Sequence, residues 1–349
     1  MAKSSKKNQD LEENNKPIKK NVKKDNKIFE IKTTQTGAFK QVIERIGSVI
    51  SECCMVIIPP DNNIPVTDEY YEEVNENHKH DKKKNNDNQN VSNRHHTAEQ
   101  NLNNEDIDTQ HNTKKKDAKK KNTGGIRILR LTEDKSILIK LNLDAINFES
   151  FRCDETKVTI GIDMQHLHNL LKLINDEDPI VMFMNKDNRG KLYIRSINEN
   201  NDSSEETHIE LNLMEIANPD MPIPQTEFQN KITMASDKFH NICKHLNNNS
   251  TFVEITSINN EILFRGQNEG GKVTMSYKDV NYIKKKDKSD QVVQGIYELR
   301  NLMSFSKCNK LCQVIEIYLR NDFPLVLVIA VATLGKMYVF LSPIENPTN

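Results

Sequence analysis

The sequence is poor in the residues that announce chemistry. Its six cysteines, Cys53, Cys54, Cys153, Cys243, Cys308 and Cys312, lack the paired spacing of a zinc site and imply a reduced, intracellular chain. Glycine is sparse, and no stretch forms a phosphate-cradling loop or a nucleophile elbow. No apolar run reaches membrane-spanning length, and the lysine-rich start has no secretory signal pattern. Nor does charge of one sign dominate, since 49 basic against 50 acidic residues give a net charge of −1. Residues 1–27 hold 9 basic and 4 acidic side chains, and residues 59–124 hold 11 and 13. Taking these from the totals leaves 29 basic and 33 acidic residues, a mildly acidic remainder at −4. A basic overall surface is therefore excluded, and any nucleic-acid contact must use a local concentration of lysine and arginine. Nothing here argues for catalysis, a cofactor or a metal.

What is present is organised around a proline-rich stretch. Pro219-Asp220-Met221-Pro222-Ile223-Pro224 has three prolines in six residues. Each removes a backbone donor and fixes φ, so the segment reads as an extended connector. Similar units flank it. Thr36-Gly37-Ala38-Phe39-Lys40-Gln41-Val42-Ile43 and Ser236-Asp237-Lys238-Phe239-His240-Asn241-Ile242-Cys243 both open amphipathic helices. A second helix recurs later, where Met164, Leu167, Leu170 and Lys172 align with Leu299, Leu302, Phe305 and Lys307. A repeat of over a hundred residues is too long for a solenoid and implies two homologous domains. The 349 residues leave room for both.

The expected organisation is a disordered tail over 1–27, a domain over 28–213, the connector 214–229, a second domain over 230–344 and a tail over 345–349. Within the first domain, 59–124 is dominated by Asn, Lys, Asp, Glu and His and reads as a disordered insertion in a hairpin loop. Such Asn/Lys bias suggests an AT-rich genome. Five histidines in it (His78, His80, His95, His96, His111) lack the pairing and apolar framing of a metal site. Asp163 is a good N-cap for a helix burying Met164, Leu167, Leu170, Leu171 and Ile174, with His168 and Lys172 expected on its exposed side. Lys284-Lys285-Lys286-Asp287-Lys288 reads as a charged loop. Strands around the helices make each domain α+β.

Asp163, His166, His168 and Asp176-Glu177-Asp178 invite an acid–base or metal reading, but a capped polar helix and a solvated loop explain them. The basic residues carry more. Lys40, Lys172, Lys244, Arg300 and Lys307 come from all four expected helices, opposite or beside the buried stripes. Singly each is a solvated charge. Together, in an otherwise acidic remainder, they suggest a shared cationic surface for sequence-independent phosphate contact.

Several runs then resemble the proliferating cell nuclear antigen family of eukaryotic-type sliding clamps. They are Phe151-Arg152-Cys153-Asp154, Gly161 through Lys172, Ile223-Pro224, Phe239-His240-Asn241-Ile242-Cys243-Lys244, Asp322-Phe323-Pro324-Leu325-Val326 and Phe340-Leu341-Ser342-Pro343. The resemblance covers about 28–58 and 125–344, and such a chain fits a large DNA virus. It implies a closed homotrimeric ring around double-stranded DNA, with helices lining the pore, sheets outside, and edge strands near 204–212 and 271–277 pairing between neighbours. It implies a DNA polymerase processivity factor acting in replication and repair, in the nucleus or a viral replication compartment, with no membrane partner. DNA contacts would fall on Lys40, Arg152, Lys172, Lys244, Arg300 and Lys307. DNA polymerase, clamp loader, flap nuclease and DNA ligase would dock short peptides on Leu131, Lys135, Leu138, Met221, Ile223, Pro224, Pro324, Phe340, Leu341, Ser342 and Pro343. The chain departs from the family where Gln41, Asn169 and Asn241 replace basic residues and where Lys135 replaces a common histidine. An extra residue lies between Cys153 and Gly161, and the tail and insertion have no counterpart. The rival readings are a subunit of a heteromeric checkpoint clamp, a monomeric DNA-binding accessory factor, and a metal nuclease using Asp163 or Asp176.

Overall fold

Each half of the chain follows the same order of elements. In the first, β1 (Lys27–Thr33), α1 (Thr36–Gly47), β2 (Glu52–Ile58), β3 (Gly125–Leu131), β4 (Ile137–Asp144), β5 (Ser150–Cys153) and β6 (Val158–Asp163) precede α2 (Met164–Leu171). Then come β7 (Ile180–Asn185), β8 (Asn188–Asn198) and β9 (Glu205–Asn212). The second half runs β10 (Asn230–Ala235), α3 (Ser236–Asn247), β11 (Phe252–Ile258), β12 (Glu261–Asn268), β13 (Gly271–Tyr277), β14 (Asn281–Lys285) and β15 (Val293–Glu298). It closes with α4 (Leu299–Ser306), β16 (Val314–Leu319), β17 (Leu325–Val331) and β18 (Gly335–Leu341). This computed structural model describes residues 26–60, 124–198, 205–218, 221–224, 226–258, 261–278, 281–285 and 292–345. The expectations of disorder for the tail and the insertion lie outside these residues, apart from a few at their ends.

The elements follow from local chemistry. Phe39, Val42, Ile43 and Ile46 in α1, and Phe239, Ile242, Cys243 and Leu246 in α3, are buried at helical spacing. The Asp163 carboxylate accepts from His166 N at 2.7 Å and caps α2. In β4 the alternation of Ile137, Ile139, Leu141 and Leu143 inward against half-exposed residues marks a strand with one face in the core. Residues 221–224, with Pro222 and Pro224, form neither helix nor strand, as the prolines require.

The sheets repeat as well. A five-stranded sheet has the order β5-β1-β7-β8-β9, and a four-stranded sheet the order β13-β12-β11-β15. The central sheet, β14-β10-β16-β17-β18-β4-β3-β2-β6, joins a five-stranded block of the second half to a four-stranded block of the first. Its seam is the antiparallel pair β18–β4, running from Gly335↔Leu143 to Leu341↔Ile137. The two-domain reading did not foresee this shared sheet.

Other differences are physical. β5, β14 and β15 are all sheet edges. An edge strand pairs on one side only and needs no strict apolar alternation. Lys284 and Lys285 thus belong to a strand pairing with β10 rather than to a loop. His168, expected outside with Lys172, is buried, because it lies one turn from both Met164 and Leu171 on the inward stripe of α2.

Candidate nucleic-acid interface and peptide pocket

The four helices pack as two pairs, α1 on α2 and α3 on α4. Thr333 N, just after β17, donates to Gln35 Oε1, just before α1, at 3.2 Å, so α1 lies against the second half across the seam. The apolar stripes of the helices face the sheets, which leaves the opposite faces open. On α2 that face carries Gln165, His166, Asn169 and Lys172; on α3 it carries Asp237, Lys238, Asn241, Lys244 and His245, all exposed.

The expected basic residues fall into two groups. Lys172, Lys244 and Lys307 are exposed, and among the described residues none has an acidic partner within ion-pair distance. Lys40 is different. Its ammonium donates to Ile174 O at 2.6 Å and pairs with Asp176 Oδ1 at 2.6 Å, with the side chain only 14% exposed. It closes the end of α2, whose last carbonyls attract a cation. Arg300 is exposed but pairs with Glu298 at 2.6 Å. Arg152 stands apart on β5, 3.5 Å from Asp154. Lys310, exposed just beyond Lys307, was missed because nothing in its local pattern distinguishes it from a solvated loop lysine.

His168 sits between the paired helices. Burial first, then the charge of Lys172, pushes its imidazole below the ordinary histidine value, with Arg45 and Lys40 adding to the effect and Glu44 opposing it. The acidic candidates have structural partners: Asp163 caps α2, Asp176 holds Lys40, and the Asp178 carboxylate accepts from Asn175 Nδ2 at 2.9 Å. Among the described residues no cluster of His, Cys, Asp and Glu could hold a metal. The histidines of the insertion lie outside them.

The outer face of the central sheet carries a continuous apolar row. Successive cross-strand partners run Tyr318↔Val326, Val326↔Phe340, Phe340↔Leu138 and Leu138↔Leu131. Leu131, Leu138 and Phe340 are half-buried, and Val326 is buried. The connector crosses this face. Met214 N bonds to Gly161 O at 2.9 Å, Ile216 O lies 3.5 Å from Cys54 Sγ, and Arg130 donates to Ala217 O at 3.5 Å. Beyond residues 221–224, Phe228 packs on Tyr318 and Phe323, with centroids 5.4 and 5.6 Å away. Half-buried Met221 and Ile223 therefore lie on the stretch that spans the row.

One rim of this groove is the turn between β3 and β4. Lys135 adopts φ 58°, and its carbonyl accepts from Ser342 Oγ at 3.2 Å while Ser342 N bonds to Ser136 O at 2.9 Å. Asp134 accepts from Thr132 Oγ1 at 2.6 Å and from Ser136 N at 3.0 Å. Its pKa is lowered, first by the Thr132 hydroxyl and then by Ser136, with a smaller contribution from Arg300. The structure thus brings Leu131, Leu138 and Phe340 together and gives Ser342 a pinning role. It removes Leu341 from the surface. At 1% exposure this side chain faces the core, because neighbours along a strand point to opposite faces. Tyr318, Val326 and Phe228, which complete the row and its end wall, became visible only through strand register.

Comparison with known proteins follows the same division. The N-terminal domain of proliferating cell nuclear antigen matches residues 106–219, and its C-terminal domain matches residues 222–344. The chain is 61% identical over 330 residues to a "Probable DNA polymerase sliding clamp" of Acanthamoeba polyphaga mimivirus, covering 94% of this chain. It spans 64% of that protein's length. It is 25% identical over 238 residues to "Probable DNA polymerase sliding clamp 1" of Paramecium bursaria Chlorella virus 1, covering 63% of this chain and 84% of that one. An uncharacterized mimivirus protein is 29% identical over 230 residues, covering 64% of this chain and 69% of its own length.

Proposed function

We propose, on the premise that this chain belongs to the proliferating cell nuclear antigen family, that it is a DNA polymerase processivity factor, a ring that encircles duplex DNA and tethers replication enzymes. The observation that carries this is a matched pair of unused sheet edges. In the repeat, β9 corresponds to β18 and β13 to β4, and β18 and β4 form the seam inside the chain. β9 and β13 are terminal strands of their sheets, paired with β8 and β12 on one side and, among the described residues, open on the other. A second copy offering β13 to β9 would reproduce the seam, and a head-to-tail contact closes into a ring when the rotation permits.

Closure makes the mechanism topological. The ring stays on DNA because it has no end, so helix contacts can be few and weak and still give long residence. Lys172, Lys244 and Lys307, exposed and without acidic partners among the described residues, would meet phosphates without reading bases, whereas Lys40, Arg152 and Arg300 already have acidic partners. The groove across Phe340, Leu138 and Leu131 suits a short peptide carrying an apolar anchor. Polymerase, clamp loader, flap nuclease and ligase would dock there, in the nucleus or in a viral replication compartment. The protein itself acts without catalysis.

Light scattering combined with retention on DNA tests this. Three copies of the 40.3 kDa chain are expected, retained after loading on closed circles and lost when the circle is cut. A monomer that is never retained on circles would refute self-closure and favour a heteromeric ring or a non-encircling accessory factor.

A further inference from the structure

We infer that the helix layer meets DNA as an amide track rather than as a cationic surface, a reading that rests on the proposed placement of these helices against DNA. Two independent observations carry it. The first is what the exposed helix faces display: Gln165 and Asn169 on α2, and Asn241, Asn247 and Asn248 on and just after α3. On α2 they form a rail, since Gln165 Nε2 donates to Asn169 Oδ1 at 3.3 Å and Lys172 Nζ donates to the same oxygen at 3.4 Å.

The second is what has happened to the cations. Of the basic residues on the four helices, Lys40 is held by Ile174 O and Asp176, and Arg45 pairs with Glu44 at 2.5 Å. Lys238 lies over the Tyr277 ring at 4.1 Å, and Arg300 pairs with Glu298 at 2.6 Å. Among the described residues of the helices and their following turns, Lys172, Lys238, Lys244, Lys307 and Lys310 lack an acidic partner, and of these Lys238 is engaged by the Tyr277 ring, which leaves four uncommitted.

An amide has both donors and acceptors, so it trades phosphate for water at small net cost and releases no counterion. A lysine–phosphate contact does release one. A track of amides with a few flexible lysines therefore holds the duplex at nearly constant energy along its length. It also makes the grip tolerant of salt.

The test uses the full chain, a short linear duplex and fluorescence anisotropy from low to physiological salt, at pH 8 where histidine carries little charge. With four uncommitted lysines, the slope of log K against log salt is expected to be no steeper than about −4 per bound chain, at about 0.9 per phosphate neutralised. A slope steeper than about −5 would mean that further cations reach DNA, either the committed helix residues or the lysine-rich segments, and would overturn the salt-tolerant grip. Gln165→Lys, Asn169→Lys and Asn241→Lys together should steepen the slope by up to about 3 and slow diffusion of the loaded protein. An unchanged slope would show that this face does not meet DNA. Retention on closed circles is read separately. Failure there with a shallow slope refutes the ring alone, and retention with a steep slope refutes the amide track alone.

Discussion

Phe340 and Leu341 are neighbours on β18, and the pleat sends them to opposite faces, so their substitution separates binding from folding. Leu341 is 1% exposed and packs in the core, opposite Leu325 on one side and Ile137 on the other. Truncating it to alanine leaves a cavity and should cost about 2–5 kcal/mol. For domains of this size that lowers the melting temperature by roughly 5–15 °C. Phe340 is half-buried on the outer face between Val326 and Leu138. Phe340→Ala should cost only about 1 kcal/mol of stability. As the centre of an apolar groove, however, it should contribute about 2 kcal/mol or more to a docked peptide, a loss of about 30-fold in Kd. Thermal melting and anisotropy of a labelled polymerase-derived peptide, both read well below the melting point, measure the two effects. If Leu341→Ala melts normally but loses the peptide, while Phe340→Ala keeps it, the assigned faces are wrong and the groove is not the docking site.

Further outcomes follow from the same geometry. Gly161→Ala would place a Cβ 2.2 Å from Met214 O; it should lift the connector from β6, cost about 2–4 kcal/mol and speed proteolysis near 214–224. Lys40→Met should destabilise by about 1–3 kcal/mol through loss of its bonds to Ile174 and Asp176, yet leave the salt slope of DNA binding unchanged; a shallower slope would return Lys40 to the DNA face. His168 has its pKa lowered by burial, so the native state holds fewer protons than the unfolded chain below the ordinary value of 6.5. Its contribution is present above that pH and is lost as pH falls toward the native pKa. Melting temperature should therefore drop between pH 7 and 5, and His168→Met should flatten the drop. Burial pushes Cys53, Cys243 and Cys308 up to about 12, so iodoacetamide at pH 8 should leave them unmodified in the native protein and label them after unfolding. Mass spectrometry reads the difference.

Much of the fold was legible because its signals are local. Helical spacing at Phe39-Val42-Ile43-Ile46, and its echo at Phe239-Ile242-Cys243-Leu246, reports one buried face per helix whatever lies opposite. Prolines at 222 and 224 forbid regular structure by covalent geometry alone. The repeat itself is a comparison of the chain with itself. Family resemblance added Leu131, Leu138 and Phe340 to the candidate site, although only β4 and β18 lying side by side makes them one surface.

The amino-acid order by itself thus determined the two equivalent units, the helices within them and the extended link between. Tertiary structure alone decided how the units share one nine-stranded sheet, which strands end the sheets and which helix lysines lack an acidic partner among the described residues. Lys40 shows why. Its partner carbonyl at Ile174 is 134 residues away, and no pattern of neighbours along the chain encodes an encounter that exists only once α1 has packed on α2.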